Sequence, residues 1–109
     1  MSIEFEVEDP RGRRIVCTQD VWRNHVTRRR PWMAKPEWIE FVKKAIQKPI
    51  GHIYLDANFP SRQVYYYRIM KPTRYLKVIV EFENDESDGQ LITATPANNG
   101  KTGEKPIWP

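Results

Sequence analysis

The sequence predicts an α+β domain: an N-terminal β-hairpin, then two helices, then a four-stranded antiparallel sheet. Three observations carry that expectation. Ile3-Glu-Phe-Glu-Val-Glu8 alternates apolar and charged residues, the period of a half-exposed strand. Trp38, Phe41, Val42, Ala45 and Ile46 recur at the spacing of one helix face. From residue 50 onward the period switches to two, in apolar runs separated by turn clusters.

Taken in order, Asp9-Pro-Arg-Gly12 reads as a turn, and Arg13–Cys17 as the strand that returns from it. Thr18 or Asp20 is suited to cap a first helix that must stop before Pro31. Pro36 opens the second helix, which runs to about Gln47 and is ended by Pro49. Four strands are expected at Gly51–Leu55, Arg62–Met70, Tyr75–Glu83 and Gln90–Thr95, followed by a polar loop, Pro96–Glu104. Short connections between them favour an antiparallel meander.

At 109 residues the chain is a single domain, 1–109, with room for one hydrophobic core. Its apolar fraction, 39%, is modest, but four Trp, five Tyr and four Phe add large buriable surfaces. The single cysteine, Cys17, excludes an internal disulfide and any multi-cysteine metal cluster, and its apolar neighbours mark it as a buried thiol. Two histidines without metal-ligand spacing give no transition-metal signature, and no Gly-rich phosphate loop precedes a helix. No cofactor is expected. No apolar run is long enough to span a membrane, and the acidic N-terminus is unlike a secretory signal, so the expected compartment is the cytoplasm, with no membrane partner.

The net charge of +4 is unevenly spread: residues 10–48 carry 11 Lys/Arg against 3 Asp/Glu, and the remainder is net acidic. A basic block of this kind is the footprint expected for a polyanion, and equally that of a solvated face. Within it, Thr18–Arg30 sets His25 on a short helix with Trp22, Arg28 and Arg29 at neighbouring spacings. An imidazole that titrates near neutrality beside Arg28, Arg29 and Arg30 is minimal equipment for metal-free phosphodiester chemistry. Strand parity places Leu76, Val78, Val80 and Phe82 on a buried face, with Lys77, Ile79, Glu81 and Glu83 opposite. Thr93 and Thr95 share one face of the last strand, Ile92 and Ala94 the other; the parity of Tyr65-Tyr-Tyr-Arg68 is ambiguous. Lys77, the threonine hydroxyls and Arg68 together suit a phosphate-binding surface. Each has a plain alternative: threonine and tyrosine favour strands, a strand lysine is commonly solvated, and His52 among apolar neighbours suits a structural role.

Several pieces, in this order, resemble one family. They are Trp22-x-x-His25, Lys48-Pro49, Tyr65-Tyr-Tyr-Arg68, Tyr75-Leu-Lys-Val-Ile-Val80, Leu91-Ile-Thr-Ala-Thr95 and Lys101-x-Gly-Glu104 with Ile107-Trp108. Over roughly residues 15–108 the chain resembles the barnase–EndoU–colicin–RelE (BECR) nuclease superfamily, in its phage-associated branch. The resemblance implies two helices packed on a four-stranded antiparallel sheet and a metal-independent endoribonuclease, a toxin in some settings. It implies His25 as the histidine, Arg68 or Lys77 as the strand cation and Thr93 as the hydroxyl residue of the site. One departure stands out: relatives often carry a second histidine before the proline after the first helix, where this chain has Arg30-Pro31.

Such an enzyme uses the 2′-hydroxyl of RNA as nucleophile, so it need only move protons and hold charge. His25 suits the proton transfer, Arg68, Lys77 and Arg28 the phosphate charge, and Thr93 a hydrogen bond to a phosphoryl oxygen. The expected partners are RNA, transfer RNA included, and a protein inhibitor or antitoxin. The competing expectations are a non-catalytic RNA-binding module and a toxin–antitoxin interaction protein.

Overall fold

The computed structural model describes residues 2–109. The chain is α+β, as expected, but its sheet has seven strands and is mixed, in the order β1-β2-β6-β5-β4-β3-β7. The hairpin of β1 (Ile3–Glu8) and β2 (Arg14–Thr18) does not stand apart: β2 pairs parallel with β6 (Gly89–Ala97) through Ile15↔Gly89 and Val16↔Gln90. The cause is burial. Ile15, Val16 and Cys17 are consecutive and all buried, which demands cover on both faces and therefore an interior strand. At the other end β7 (Lys105–Trp108) pairs antiparallel with β3 (Ile53–Leu55), and its Pro106 is tolerated because β7 is an edge strand. Between them β4 (Arg62–Arg68), β5 (Tyr75–Phe82) and β6 form the expected antiparallel meander.

The first helical segment is not one regular helix. After Thr18, whose hydroxyl oxygen accepts the Val21 N–H at 3.2 Å, come α1 (Gln19–Val21), a π turn (Trp22–Val26) and α2 (Thr27–Arg29). The Thr27 N–H donates to the carbonyl of Trp22, five residues back. Trp22 and Val26 are buried while His25 is exposed, so His25 does not share the face of Trp22. A 3₁₀ turn (Pro31–Ala34) leads into α3 (Pro36–Gln47), which buries Trp38, Val42, Ala45 and Ile46 as its periodicity requires. These side chains meet Tyr65, Leu76, Val78, Val80, Phe82, Leu91 and Ala94 in a single core on one side of the sheet. No helix among the described residues is long and apolar enough to cross a membrane.

Two further expectations change in β6. Its register slips between Ile79↔Thr93 and Val80↔Leu91, leaving Ile92 without a partner. This bulge lets Leu91 and Ala94 both enter the core, where strict alternation pairs Ala94 with Ile92. The strand also runs on to Ala97, two residues into the expected loop.

The hairpin turn is pinned by Asp9, whose side chain is fully buried. Asp9 accepts from the Arg11 and Arg13 N–H groups at 2.8 and 3.2 Å, from the Arg11 guanidinium at 2.7 and 3.0 Å, and from the Tyr65 hydroxyl at 2.9 Å. Gly12, at φ +83°, supplies the left-handed position that closes the turn. Arg13 lies 3.9 Å above the Phe82 ring and donates to the Asn84 and Ser87 carbonyls, tying the turn to the β5–β6 hairpin.

Candidate functional site

The register resolves the parity of β4. Tyr65 and Tyr67 pair with Val78 and Leu76 and face the helices; Val64, Tyr66 and Arg68 pair with Ile79, Lys77 and Tyr75 and face the other way. β6 adds Thr95 opposite Lys77 and Thr93 opposite Ile79. β3 adds Tyr54, opposite Val64. The helix-free face therefore gathers Arg68, Lys77 and Thr93 with three tyrosines, because side chains of paired residues project to the same side of a sheet.

The tyrosines form a ladder across neighbouring strands. Tyr54 meets Tyr66 edge-on at 5.7 Å between ring centroids, and Tyr66 meets Tyr75 at 6.1 Å. His52 extends it, edge-on to Tyr54 at 5.8 Å, with its Nδ1 buried and lacking a hydrogen-bond partner. The Arg68 guanidinium lies 5.9 Å from the Tyr75 ring centre and the Lys77 ammonium 5.9 Å from that of Tyr66. Against this ladder opens a cleft of about 340 Å³, lined by Ile50, Gly51, Tyr54, Tyr66, Tyr75, Gly100, Lys101 and Glu104.

Glu104 is the residue that sequence reasoning left without a role. Its side chain is only 3% exposed. One carboxylate oxygen accepts the Tyr66 hydroxyl at 2.6 Å and the other the Lys77 ammonium at 2.8 Å. Burial first, then Glu104 itself, holds the Tyr66 phenol well above its ordinary range, so Tyr66 stays a donor. Burial alone raises the Asp56 carboxyl, yet the Asn58 and Phe59 N–H groups, with Lys77 and Lys101 adding their charge, hold it below the usual range. Only position in the Lys101-x-Gly-Glu104 segment marked Glu104 beforehand; no periodicity singles out one carboxylate in a polar loop.

His25 lies elsewhere. It is exposed on the π turn, in a helical segment that runs beside β6, and among the described residues its side chain makes no hydrogen bond. Arg28 and Arg29 are exposed and Arg30 half-buried, none in an ion pair among the described residues; Arg23 reaches Glu4 at 3.6 Å. The sheet thus sets Arg68, Lys77 and Thr93 on one face, with Arg68 and Thr93 on the two strands that flank β5 and four residues apart along it, while His25 and the three arginines belong to the helical segment. Cys17 is no nucleophile: burial first, then the charge of Glu4, pushes its thiol up to about 12. Among the described residues no three His, Cys, Asp or Glu side chains converge as metal ligands. No family model, curated protein or solved structure matches this chain.

Proposed function

We propose that this chain is a metal-independent endoribonuclease of the BECR type, cleaving RNA by attack of its 2′-hydroxyl on the adjacent phosphate across the helix-free face. The observation that carries the reading is the shared face of Arg68, Lys77 and Thr93, bordered by tyrosine rings suited to stacking on unpaired bases. Arg68 and Lys77 hold the phosphate charge, Arg68 with a planar fork and Lys77 as a point charge. Thr93 hydrogen-bonds a phosphoryl oxygen. His25, on the helical segment packed against the other side of the sheet, is not brought to this face, so the reading stands on Arg68, Lys77 and Thr93. Arg28, Arg29 and Arg30 bind flanking backbone.

The test is cleavage of single-stranded RNA in the presence of a chelator. The expected products carry 2′,3′-cyclic phosphate ends, DNA stays intact because it lacks the nucleophile, and Thr93→Val slows cleavage while leaving binding largely intact. Metal-dependent cutting, or equal cutting of DNA, overturns the mechanism.

A second reading, a non-catalytic RNA-binding module, draws on a specific observation: Lys77 is already neutralised by Glu104 at 2.8 Å. Arg30 where relatives carry a histidine points the same way. Under that reading binding weakens steeply with salt, Arg28→Ala with Arg29→Ala flattens the slope, and no RNA is cut.

A further inference from the structure

We propose that the tyrosine cleft beside Glu104 is a nucleobase pocket, selective for bases that carry an exocyclic amino group, with the attached phosphate held by Lys101. The inference rests on the reading of the helix-free face as the side that meets RNA, and it adds which part of the nucleotide enters the cleft and what selects it.

The volume, about 340 Å³, lies at the small end of ligand pockets. Its walls are the rings of Tyr54, Tyr66 and Tyr75, which suits a flat aromatic ligand rather than a flexible chain. Against those rings stands one buried carboxylate. An ionised carboxylate has about four acceptor positions. Glu104 fills two, with Tyr66 and Lys77, and Glu104 itself lines the cleft. A ligand that brings N–H donors completes that set; one that brings carbonyl oxygens is repelled. Adenine, guanine and cytosine each offer an amino group. Uracil instead flanks its one ring N–H with two carbonyls. Lys101, exposed at the rim, supplies the cation for the phosphate.

Gly100 provides the means of closing the cleft. A Cβ there lies 3.6 Å from a Glu104 carboxylate oxygen and 3.8 Å from the Tyr66 hydroxyl, ordinary contact distances. A larger side chain at this position enters the cleft instead of striking the fold.

The experiment titrates the full chain with AMP, GMP, CMP, UMP and ribose 5-phosphate, followed by chemical-shift perturbation or tyrosine fluorescence. The three amino-bearing nucleotides are expected to bind about tenfold or more tighter than UMP and ribose 5-phosphate. Gly100→Leu, with an unchanged melting temperature, abolishes that binding. Lys101→Ala, at an exposed side chain that leaves the fold alone, weakens the nucleotides but not adenosine. Glu104→Gln narrows the gap between CMP and UMP. Equal binding of UMP and CMP, equal binding of ribose 5-phosphate and AMP, full binding by Gly100→Leu, or no binding by any nucleotide overturns the pocket. RNA cleavage is scored separately: a chain that binds as described yet cuts no RNA keeps the pocket and loses the nuclease reading.

Discussion

Tyr65 and Tyr66 are neighbours in sequence that point to opposite faces of the sheet, and each donates its hydroxyl to a buried carboxylate already paired with a cation. On the helix side Tyr65 reaches Asp9, held by Arg11; on the open side Tyr66 reaches Glu104, held by Lys77. The two carboxylates differ in how completely they are used. Asp9 accepts five hydrogen bonds, four of them from Arg11 and Arg13 in its own turn, and is sealed from solvent. Glu104 accepts two, both from strands distant in sequence, and borders a cleft. A saturated carboxylate can do little but hold the fold; an unsaturated one beside a cavity can still meet a ligand.

The largest expected effect separates the two. Asp9→Ala removes the carboxylate from Arg11, Arg13 and Tyr65 at once, leaving the Arg11 guanidinium with the Gln63 side-chain oxygen and the Tyr65 hydroxyl, and breaking a buried pair this way costs about 3 kcal/mol or more. In a thermal melt that lowers the midpoint by ~12 °C or more for a domain of this size. Glu104→Gln leaves an acceptor for one of Tyr66 and Lys77 but removes the charge facing the largely buried Lys77, so it too lowers the midpoint, by less than Asp9→Ala because two hydrogen bonds are affected and not five. Equal losses from the two variants erase the distinction.

The two glycines test the same contrast by volume. A Cβ on Gly89 meets Val80 Cγ1 at 2.6 Å and the Phe82 ring at 2.7 Å, with Arg13 already stacked on that ring. Gly89→Ala therefore overpacks the pinned end and costs about 1–3 kcal/mol. Gly100→Ala, with 3.6 Å to its nearest neighbour, leaves the melting curve in place. A tolerant Gly89 or an intolerant Gly100 reverses the assignment of closed and open ends.

What the sequence made legible follows from local periodicity. The capping by Thr18, the span Pro36–Gln47, the Gly12 turn and the buried face of Leu76, Val78, Val80 and Phe82 are all set within a few residues of chain, and each stands as expected. The parallel pairing of β2 with β6 and the closing strand β7 join residues 50 or more apart, and no short window carries that information. The run Ile15-Val16-Cys17 did hold the relevant signal, since three consecutive buried residues imply an interior strand. The site divides in the same way. Parity put Lys77 and Thr93 on one face, whereas the partnership of Lys77 with Glu104 spans 27 residues and depends on how the final loop returns to the sheet.

On the open face, smaller changes test chemistry without disturbing packing. Thr93→Val keeps the branched shape and removes the hydroxyl, and among the described residues that hydroxyl has no hydrogen-bond partner to lose. Stability should stay level while RNA cleavage falls about tenfold, equivalent to about 1.4 kcal/mol of transition-state stabilisation. Arg68→Lys keeps the charge beside Tyr75 but not the planar fork, and a similar loss is expected. Full activity in both variants moves the phosphate away from this face and toward Arg28 and Arg29.

The smallest effect is read in alkali, just past neutrality's edge, and it belongs to the closed side. Cys17 has its thiol raised by burial from 9.0 to about 12, and Tyr65 is raised above 10.0, first by burial and then by the charge of Asp9. Both groups hold their protons more tightly folded than unfolded, so their contribution is complete below pH 9 and declines as pH climbs through the window from 9 to about 12. The melting temperature should be level from pH 7 to 9 and dip slightly by pH 9.5, before the tyrosines begin to contribute. Cys17→Ala removes the first of these groups, costs some packing at every pH, and should delay the onset until the range where phenols ionise. Tyr66→Phe should leave that early dip untouched, because the proton lost first belongs to the core. A dip at pH 9.5 that survives Cys17→Ala and vanishes in Tyr66→Phe would move the alkaline weak point from the core to the cleft, and with it the division between a closed face that holds the fold and an open one that does not.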